Sequence, residues 1–537
     1  MTIGNAMAAD FSDSAPTVRD LVTRRAIETP EAVYLIAPET GSTLTFGELH
    51  GRCLTLARDL AGLGIQRGDR VGLFLPNGLQ AAGLFVGIMA AGCVATPLSL
   101  LLQPEPLAFV LTHSDCRLVF TTTEHRRELE QALARLPIPG AVAVRVIDAE
   151  CGSDDGAGTP DAAWPLAAPA NGSNALLMYT SGTTGRPKGV RLSHGNVLSG
   201  ARFVSQAHGL GPSDRVLAVL PLYHINAQIV TVLAPLYHGG SLVMPRRFSA
   251  GRFWSLAAEH RCTWLNVVPT IIAYLLNGEE NLRADLDLGA VRFCRSASAP
   301  LAPEHHRAFE QRFGIGIIET MGLTETAAPV FTNPLNPALR KIGSPGRAFG
   351  NLARIAAPGT ERPQPAGMVG EIQISGPNVM SGYHKDPAET ASAFTADGWL
   401  KTGDLGYRDD EGFYFVTGRL KELIIKGGEN IAPREIDETL LKHPALLEAA
   451  AVGVPDPLYG QEIEAGVVLK PGMTATEEEL KIFCEDRLGR FKTPRVIRIM
   501  TELPKGPSGK VQRLRLLQGA GHPHPTRSAG TDRRHLS

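Results

Sequence analysis

The sequence contains no Cys-x-x-Cys pair. Its seven cysteines (Cys53, Cys93, Cys116, Cys151, Cys262, Cys294, Cys484) are scattered and odd in number. That argues against a zinc ribbon or a disulfide framework, and predicts buried free thiols in a reducing cytosol. Neither charge sign is in excess, since the formal net charge is −1. A nucleic-acid-binding surface would call for a basic surplus. The opening residues, MTIGNAMAADFSDSAP, lack the basic and apolar regions of a secretory signal. Charge is absent altogether from Val71 to Pro104, a run longer than the ~20 residues that span a bilayer. Pro76, Asn77, Gly78, Gly92 and Pro97 break it into a strand at 71–75, a helix at 79–91 and a strand at 93–97. Those lengths predict buried sheet core, no membrane span and a cytoplasmic protein.

What is present is enough for several structural units: 537 residues, 43% apolar. Short apolar runs at 216–220, 241–244, 264–268, 291–295 and 314–319 alternate with helical patterns near 227–236, 251–260 and 303–313. This alternation predicts an α/β fold with largely parallel sheets flanked by helices. The Pro/Gly-rich stretch 149–173 reads as a surface loop. After Gly418 the pattern becomes helix (433–442), strand (446–453), strand (463–470), helix (476–488) and strand (495–500). That is a small α+β domain. Thr476 and Glu479 form a capping box there, and Gly489 a stop. The expected division is 1–417, 418–515 and a disordered tail at 516–537.

The most specific segment is Tyr179-Thr-Ser-Gly-Thr-Thr-Gly-Arg-Pro-Lys-Gly189, preceded by the apolar strand Ala175-Leu-Leu-Met. A strand that runs into glycines and hydroxyls can wrap phosphate oxygens with backbone N–H groups. Ser181, Thr183 and Thr184 add donors, and Lys188 adds charge. The spacing is not that of a P-loop, because Pro187 stands where that motif needs glycine. The segment resembles the phosphate-loop signature of the adenylate-forming superfamily, in particular its acyl-CoA synthetase branch. Further similar motifs follow in order: Pro221-Leu-Tyr-His224, Ser296-Ala-Ser-Ala-Pro-Leu301, Glu319-Thr-Met-Gly-Leu-Thr-Glu325, Thr402-Gly-Asp404, Gly418-Arg-Leu-Lys-Glu-Leu423 and Pro504-Lys-Gly-Pro-Ser-Gly-Lys510. The resemblance spans roughly residues 45–515 and implies a large N-terminal region hinged to a mobile C-terminal lid.

It also implies a chemistry. A carboxylate attacks the α-phosphate of ATP, pyrophosphate leaves, and the acyl group passes to a thiol. Two anions must be brought together, so the site needs positive charge and fixed geometry. By resemblance, Thr180, Ser181, Gly182, Thr183, Thr184, Gly185 and Lys188 hold the phosphates. Thr324 contacts the α-phosphate, and Glu325 binds Mg²⁺ together with phosphate oxygens and water. Asp404 accepts the ribose hydroxyls with Arg419 in support. Ser298, Ala299, Pro300, Glu319, Thr320 and Met321 frame the nucleotide. Met321 departs from the aromatic residue common at that position, keeping a polarizable surface without ring stacking. Lys510 resembles the adenylation lysine, bridging carboxylate and α-phosphate, whereas Lys505 reads as a surface lysine. Lys421 sits at the hinge. Gly427 and Gly428 resemble the glycines beside which a pantetheine arm passes, though an ordinary turn is the alternative.

His224, Asn226, Val268, Ala297 and Met321 are expected to line the acyl pocket. The segment Tyr223-His-Ile-Asn-Ala-Gln228 has no carboxylate to pair with an ammonium, which argues against α-amino acids. Residues 253–272 resemble synthetases of the carnitine/crotonobetaine and oxalate type. Between Glu325 and Ile342 there is no room for the insertion of fatty acyl-AMP ligases, so coenzyme A is expected as acceptor in preference to an acyl carrier protein. A nucleotide-binding pseudo-enzyme is the non-enzymatic alternative, and the presence of Lys188, Glu325, Asp404 and Lys510 argues against it.

Overall fold

A computed structural model describes residues 16–148, 163–180, 187–278, 286–505 and 511–520. Residues up to Leu420 form one compact unit and residues from Lys421 form a second.

The uncharged stretch explains much of the first unit's core. It folds as strand Arg70–Phe74, helix Leu79–Ala90 and strand Val94–Pro97. The helix is apolar on nearly all sides because it is buried on nearly all sides. Leu49, Phe85, Val197, Leu176 and Val216 belong to one continuous cluster. That cluster joins strands of two large sheets through the helices Phe46–Gly62, Leu79–Ala90 and His194–Ala207.

The larger sheet has nine strands. Its order is Arg347–Ala348, Ala328–Thr332, Ile317–Leu323, Phe293–Ser296, Trp264–Val267, Arg215–Ala218, Ser241–Val243, Val33–Ala37 and Ser42–Thr45. The six strands from Ile317–Leu323 to Val33–Ala37 are parallel, and the flanking ones are antiparallel. In the seven-stranded sheet Asn174–Thr180 pairs parallel to Val94–Pro97 and antiparallel to Lys188–Ser193. A third sheet, Leu352–Ala356, Gly370–Ser375, Leu400–Arg408 and Tyr414–Arg419, is wholly antiparallel. It departs from the expected parallel pattern: the first and last connections are short, and the middle one, which carries the helix Pro387–Ala393, returns the chain antiparallel beside Gly370–Ser375.

The helical pattern near 227–236 is a π-helix over Asn226–Leu233, followed by a short α-helix from Ala234. No helix among the described residues is long and apolar enough to cross a membrane. Six described cysteines are free and buried. Burial pushes the thiols of Cys53, Cys93, Cys116 and Cys262 up to about 12, so they are inert packing groups at neutral pH.

In the second unit, helices Pro433–Leu440 and Glu477–Lys492 cover a five-stranded sheet. The core is built from Ile424, Ile436, Leu446, Ile463, Leu480 and Ile497. The Thr476–Glu479 capping box forms as the sequence suggests. At Gly489 the backbone leaves helical geometry (φ 73°), with helical residues on both sides. The division between units falls after Leu420. A 3₁₀ helix at Arg513–Ala520 occupies the first part of the segment expected as a tail.

Candidate active site

The phosphate-loop segment is the connection of a β-hairpin. Thr180 ends one strand and pairs with Lys188, which begins the next. Ser181, Gly182, Thr183, Thr184 and Gly185 lie outside the described residues, as does Lys510. Helix His194–Ala207 follows directly, its start held by reciprocal bonds: Asn196 N–H donates to Ser193 Oγ (3.1 Å) and Ser193 N–H to Asn196 Oδ1 (2.9 Å).

A second segment clamps this hairpin to the Thr324–Glu325 turn. Asn196 Nδ2 donates to the carbonyls of Pro377 (2.8 Å) and Val379 (2.9 Å). Asn378 Nδ2 donates to those of Thr326 and Pro329. Met380 N–H donates to the Glu325 carbonyl (2.7 Å), and His384 N–H to that of Gly189 (2.7 Å). Tyr383 pairs with Val190 in the sheet, and its hydroxyl donates to Glu325 Oε1 at 3.0 Å. Burial, reinforced by the Glu325 charge, raises the Tyr383 pKa, so the phenol stays a donor. The ammonium of Lys188 lies 5.4 Å from the Tyr383 ring centroid and pairs with Glu389. Lys188, Tyr383, Glu325 and Glu389 thus form one contiguous polar cluster. Asn378, Tyr383 and Glu389 were not singled out from sequence; a lone Gly-Tyr pair or an acid after Asp386 carries no distinctive spacing.

Thr324 and Glu325 sit in a 3₁₀ turn between the antiparallel strands Ile317–Leu323 and Ala328–Thr332. The turn is tight. Ala327 and Ala328 have φ of 46° and 77°, and a Cβ on Gly322 would lie 1.4 Å from the Ala328 carbonyl oxygen. Upstream on the same strand, buried Glu319 accepts the Leu301 N–H at 3.2 Å. Thr320 donates to the Ser296 carbonyl. Met321 is half-buried and packs against the cluster containing Val330 and Phe331.

Ser298 holds a left-handed backbone (φ 75°); next to it Ala299 is half-buried and Pro300 exposed. Its hydroxyl accepts from Asn226 Nδ2 at 3.1 Å. Ala297 is buried, with its N–H on the Val267 carbonyl, next to half-buried Val268. His224 is half-buried at the turn before the π-helix, its ring 4.6 Å from that of Tyr223. Val268 and Ala297 directly follow the parallel strands Trp264–Val267 and Phe293–Ser296, and Asn226 reaches the same edge through Ser298, the edge where open α/β sheets bind ligands.

On the antiparallel sheet Asp404 and Arg419 are cross-strand partners. Arg419 Nε donates to Asp404 Oδ1 at 2.6 Å, and Asp404 is 5% exposed. Asp404 N–H bonds Thr402 Oγ1, which donates to the Ile372 carbonyl.

In the second unit Lys421 is exposed. Gly427 and Gly428 (φ 58° and 86°) are the two central residues of a hairpin in which Lys426 pairs with Glu429. Positive φ at both positions is the type I′ requirement, so the fold alone accounts for both glycines. Lys505 differs from the surface lysine expected. Its ammonium pairs with half-buried Glu448 at 2.6 Å, and Lys505 bridges Val511 across the segment that carries Lys510. Arg513 ties down the far side, donating to Asp437 and to the Ala451 carbonyl.

Comparisons with known proteins identify the family. A family model described as AMP-binding enzyme matches residues 22–384, and its C-terminal domain model matches 435–510. The chain belongs to the AMP-binding enzyme family. It is 55% identical over 504 residues to a sulfoacetate–CoA ligase of Cupriavidus necator, covering 94% of this chain and 98% of that one. It is 37% identical to an oxalate–CoA ligase of Arabidopsis thaliana, covering 88% and 92%. The ATP-bound crystal structure of MatB from Rhodopseudomonas palustris superposes with a TM-score of 0.84 at 29% identity, covering 94% and 99%. The protein is an ATP-dependent acyl-CoA synthetase, an acid–thiol ligase that forms AMP.

Proposed function

We propose that this synthetase activates a short organic acid that carries a second anionic group, with sulfoacetate as the model substrate, in the cytoplasm. The observation that carries this reading is the 55% identity to a sulfoacetate–CoA ligase across 98% of that protein. The oxalate–CoA ligase relative also takes an acid with two acidic groups. Six buried, unpaired thiols suit a reducing compartment.

Residue roles follow from charge and position. Thr180 and Lys188 close the hairpin whose 181–185 connection wraps the β- and γ-phosphates. Glu325 fits a magnesium ligand: a single carboxylate with phosphate oxygens and water suffices for this hard cation, and one of its oxygens takes the Tyr383 hydroxyl, which orients the carboxylate. Mg²⁺, when bound, neutralises phosphate charge. Asp404, oriented by Arg419, accepts ribose hydroxyls. Thr324 donates to the α-phosphate, and Ser298, Ala299, Pro300, Glu319, Thr320 and Met321 frame the base. Lys510 supplies the ammonium that offsets the charge gathering between carboxylate and α-phosphate. We assign residues 1–417 to adenylation and 418–515 to a lid that turns at Lys421, with coenzyme A passing beside Gly427 and Gly428.

The test is hydroxamate formation from a panel of acids with ATP and Mg²⁺, then acyl-CoA formation from those that respond. Sulfoacetate is expected to lead the panel. Acyl transfer to a carrier protein with no acyl-CoA would overturn the acceptor. Lys510→Ala is expected to lower pyrophosphate exchange by more than about a thousandfold, the scale of a lost transition-state charge contact. Thioester formation from supplied acyl-adenylate should persist. Normal exchange in that variant would remove Lys510 from the adenylation step.

A further inference from the structure

Arg295 lies on strand Phe293–Ser296, two residues before Ala297, and is 1% exposed. Its neighbours are neutral. Nη1 donates to Asn266 Oδ1 at 2.9 Å and to Asn226 Oδ1 at 3.0 Å. Asn266 is its register partner on the next parallel strand, and Asn266 Nδ2 donates to the same Asn226 oxygen at 3.2 Å. Nε is buried without an acceptor. Among the described residues no carboxylate pairs with this guanidinium; Arg354 and Arg513 pair with Asp397 and Asp437, and buried Arg19 spreads its donors over four backbone carbonyls, whereas Arg295 has only two side-chain amide oxygens, both on Nη1. Burial with no compensating anion pushes the Arg295 pKa down to about 9.

A buried cation without a counter-charge is costly to fold around. Removing it for an apolar residue of similar volume would be the cheaper structural solution. The location suggests why it is kept. The Asn226 side chain that accepts from Arg295 also donates to Ser298 Oγ, so the guanidinium is wired to residues of the proposed acyl pocket. The planar fork of an arginine matches a carboxylate or sulfonate better than it matches any neutral tail.

We propose that Arg295, held by Asn226 and Asn266, is the specificity-determining group that pairs with the second anion of the substrate, a sulfonate or carboxylate at the end remote from the reacting carboxylate. This rests on the substrate reading above and deepens it. The same cation disfavours acids whose tail carries an ammonium.

The test compares kcat/KM for hydroxamate formation with sulfoacetate and with propionate, in full-length wild type, Arg295→Met and Asn266→Asp. Asn266→Asp is nearly isosteric and puts a carboxylate where Nη1 already donates, so the charge is quenched internally without emptying the core, at the loss of the hydrogen bond from Asn266 Nδ2 to Asn226. Both variants are expected to lose about a hundredfold on sulfoacetate, mainly through KM, as for a removed buried charge partner. Propionate should change by less than about threefold, with the KM for ATP unchanged. Equal losses on both acids would overturn the proposal, marking Arg295 as structural or as the holder of the reacting carboxylate. Variants that keep the wild-type preference for sulfoacetate would overturn it too, leaving the substrate reading intact. A wild type that prefers propionate would overturn the substrate reading itself.

Discussion

At the scale of single residues, the site is set by close approach and by hydrogen bonds that orient charges. Gly322 is the sharpest case. A Cβ there meets the Ala328 carbonyl oxygen at 1.4 Å, and that oxygen belongs to a backbone already held at positive φ beside Glu325. Neither side can yield without moving the Thr324–Glu325 turn. Gly322→Ala is therefore expected to cost roughly 2–3 kcal/mol of stability and to lower pyrophosphate exchange by more than about tenfold. A melting temperature and exchange rate both equal to wild type would contradict this account. Met321, next to it, spends part of its side chain on the cluster around Phe331. A methionine at this position thus serves the core as well as facing the proposed adenine site.

At the scale of elements, the Gly427–Gly428 hairpin separates two causes that the sequence presents together. The turn needs positive φ at both positions, and Asn-Gly satisfies that requirement as well as Gly-Gly. Gly427→Asn should keep the second unit's unfolding midpoint and leave pyrophosphate exchange unchanged. If pantetheine passes this backbone, the added side chain raises the KM for coenzyme A several-fold; an unchanged KM would make the glycines turn formers and nothing more. Much at this scale was legible in the sequence. The helix at 303–313, the Thr476–Glu479 cap and the strand–helix–strand of the uncharged stretch all form, because local periodicity and burial agree there. The antiparallel sheet bearing Asp404 was less legible, since its strands are partly exposed and short of apolar contrast. The π-helix at Asn226–Leu233 is not distinguishable in the sequence from an ordinary helix, because an i→i+5 pattern leaves the same apolar run. Contiguous motifs mark the 179–189 segment, Glu325 and Asp404 as candidates. The Tyr383–Glu389 clamp and Arg295 are assembled by tertiary contacts across long sequence separations, for which a single chain of letters carries no spacing.

At the scale of the whole first unit, three histidines carry a cost that appears in acid. Burial is the leading cause in each, and it lowers His194 and His238 to about 4 and His208 to about 3. The geometry agrees: His194 Nδ1 accepts the Val18 N–H, and His238 Nδ1 accepts the Gly240 N–H. Protonating His194 Nδ1 would set two donors face to face, whereas His238 Nδ1 also meets the Gly211 carbonyl at 3.0 Å, so its cost is mainly that of burying the charge. The His208 ring lies against Phe293 and Trp264, with Arg295 adding repulsion to a second charge. The sign follows from linkage. An unfolded histidine protonates near 6.5 while the folded one does not, so the unfolded state binds more protons and stability falls as the pH is lowered. The stabilisation is complete above about pH 6.5 and is lost progressively toward pH 4, with each histidine contributing up to about 3 kcal/mol. Urea midpoints measured from pH 7.5 to 4.5 should fall steadily below pH 6.5, and His208→Phe, which keeps an aromatic ring on Phe293, should flatten part of that slope. Midpoints independent of pH across this window would show that the buried rings protonate without opposing the fold. A slope untouched by His208→Phe would move the effect to His238 and to His194, whose Nδ1 gives up the Val18 hydrogen bond when it charges.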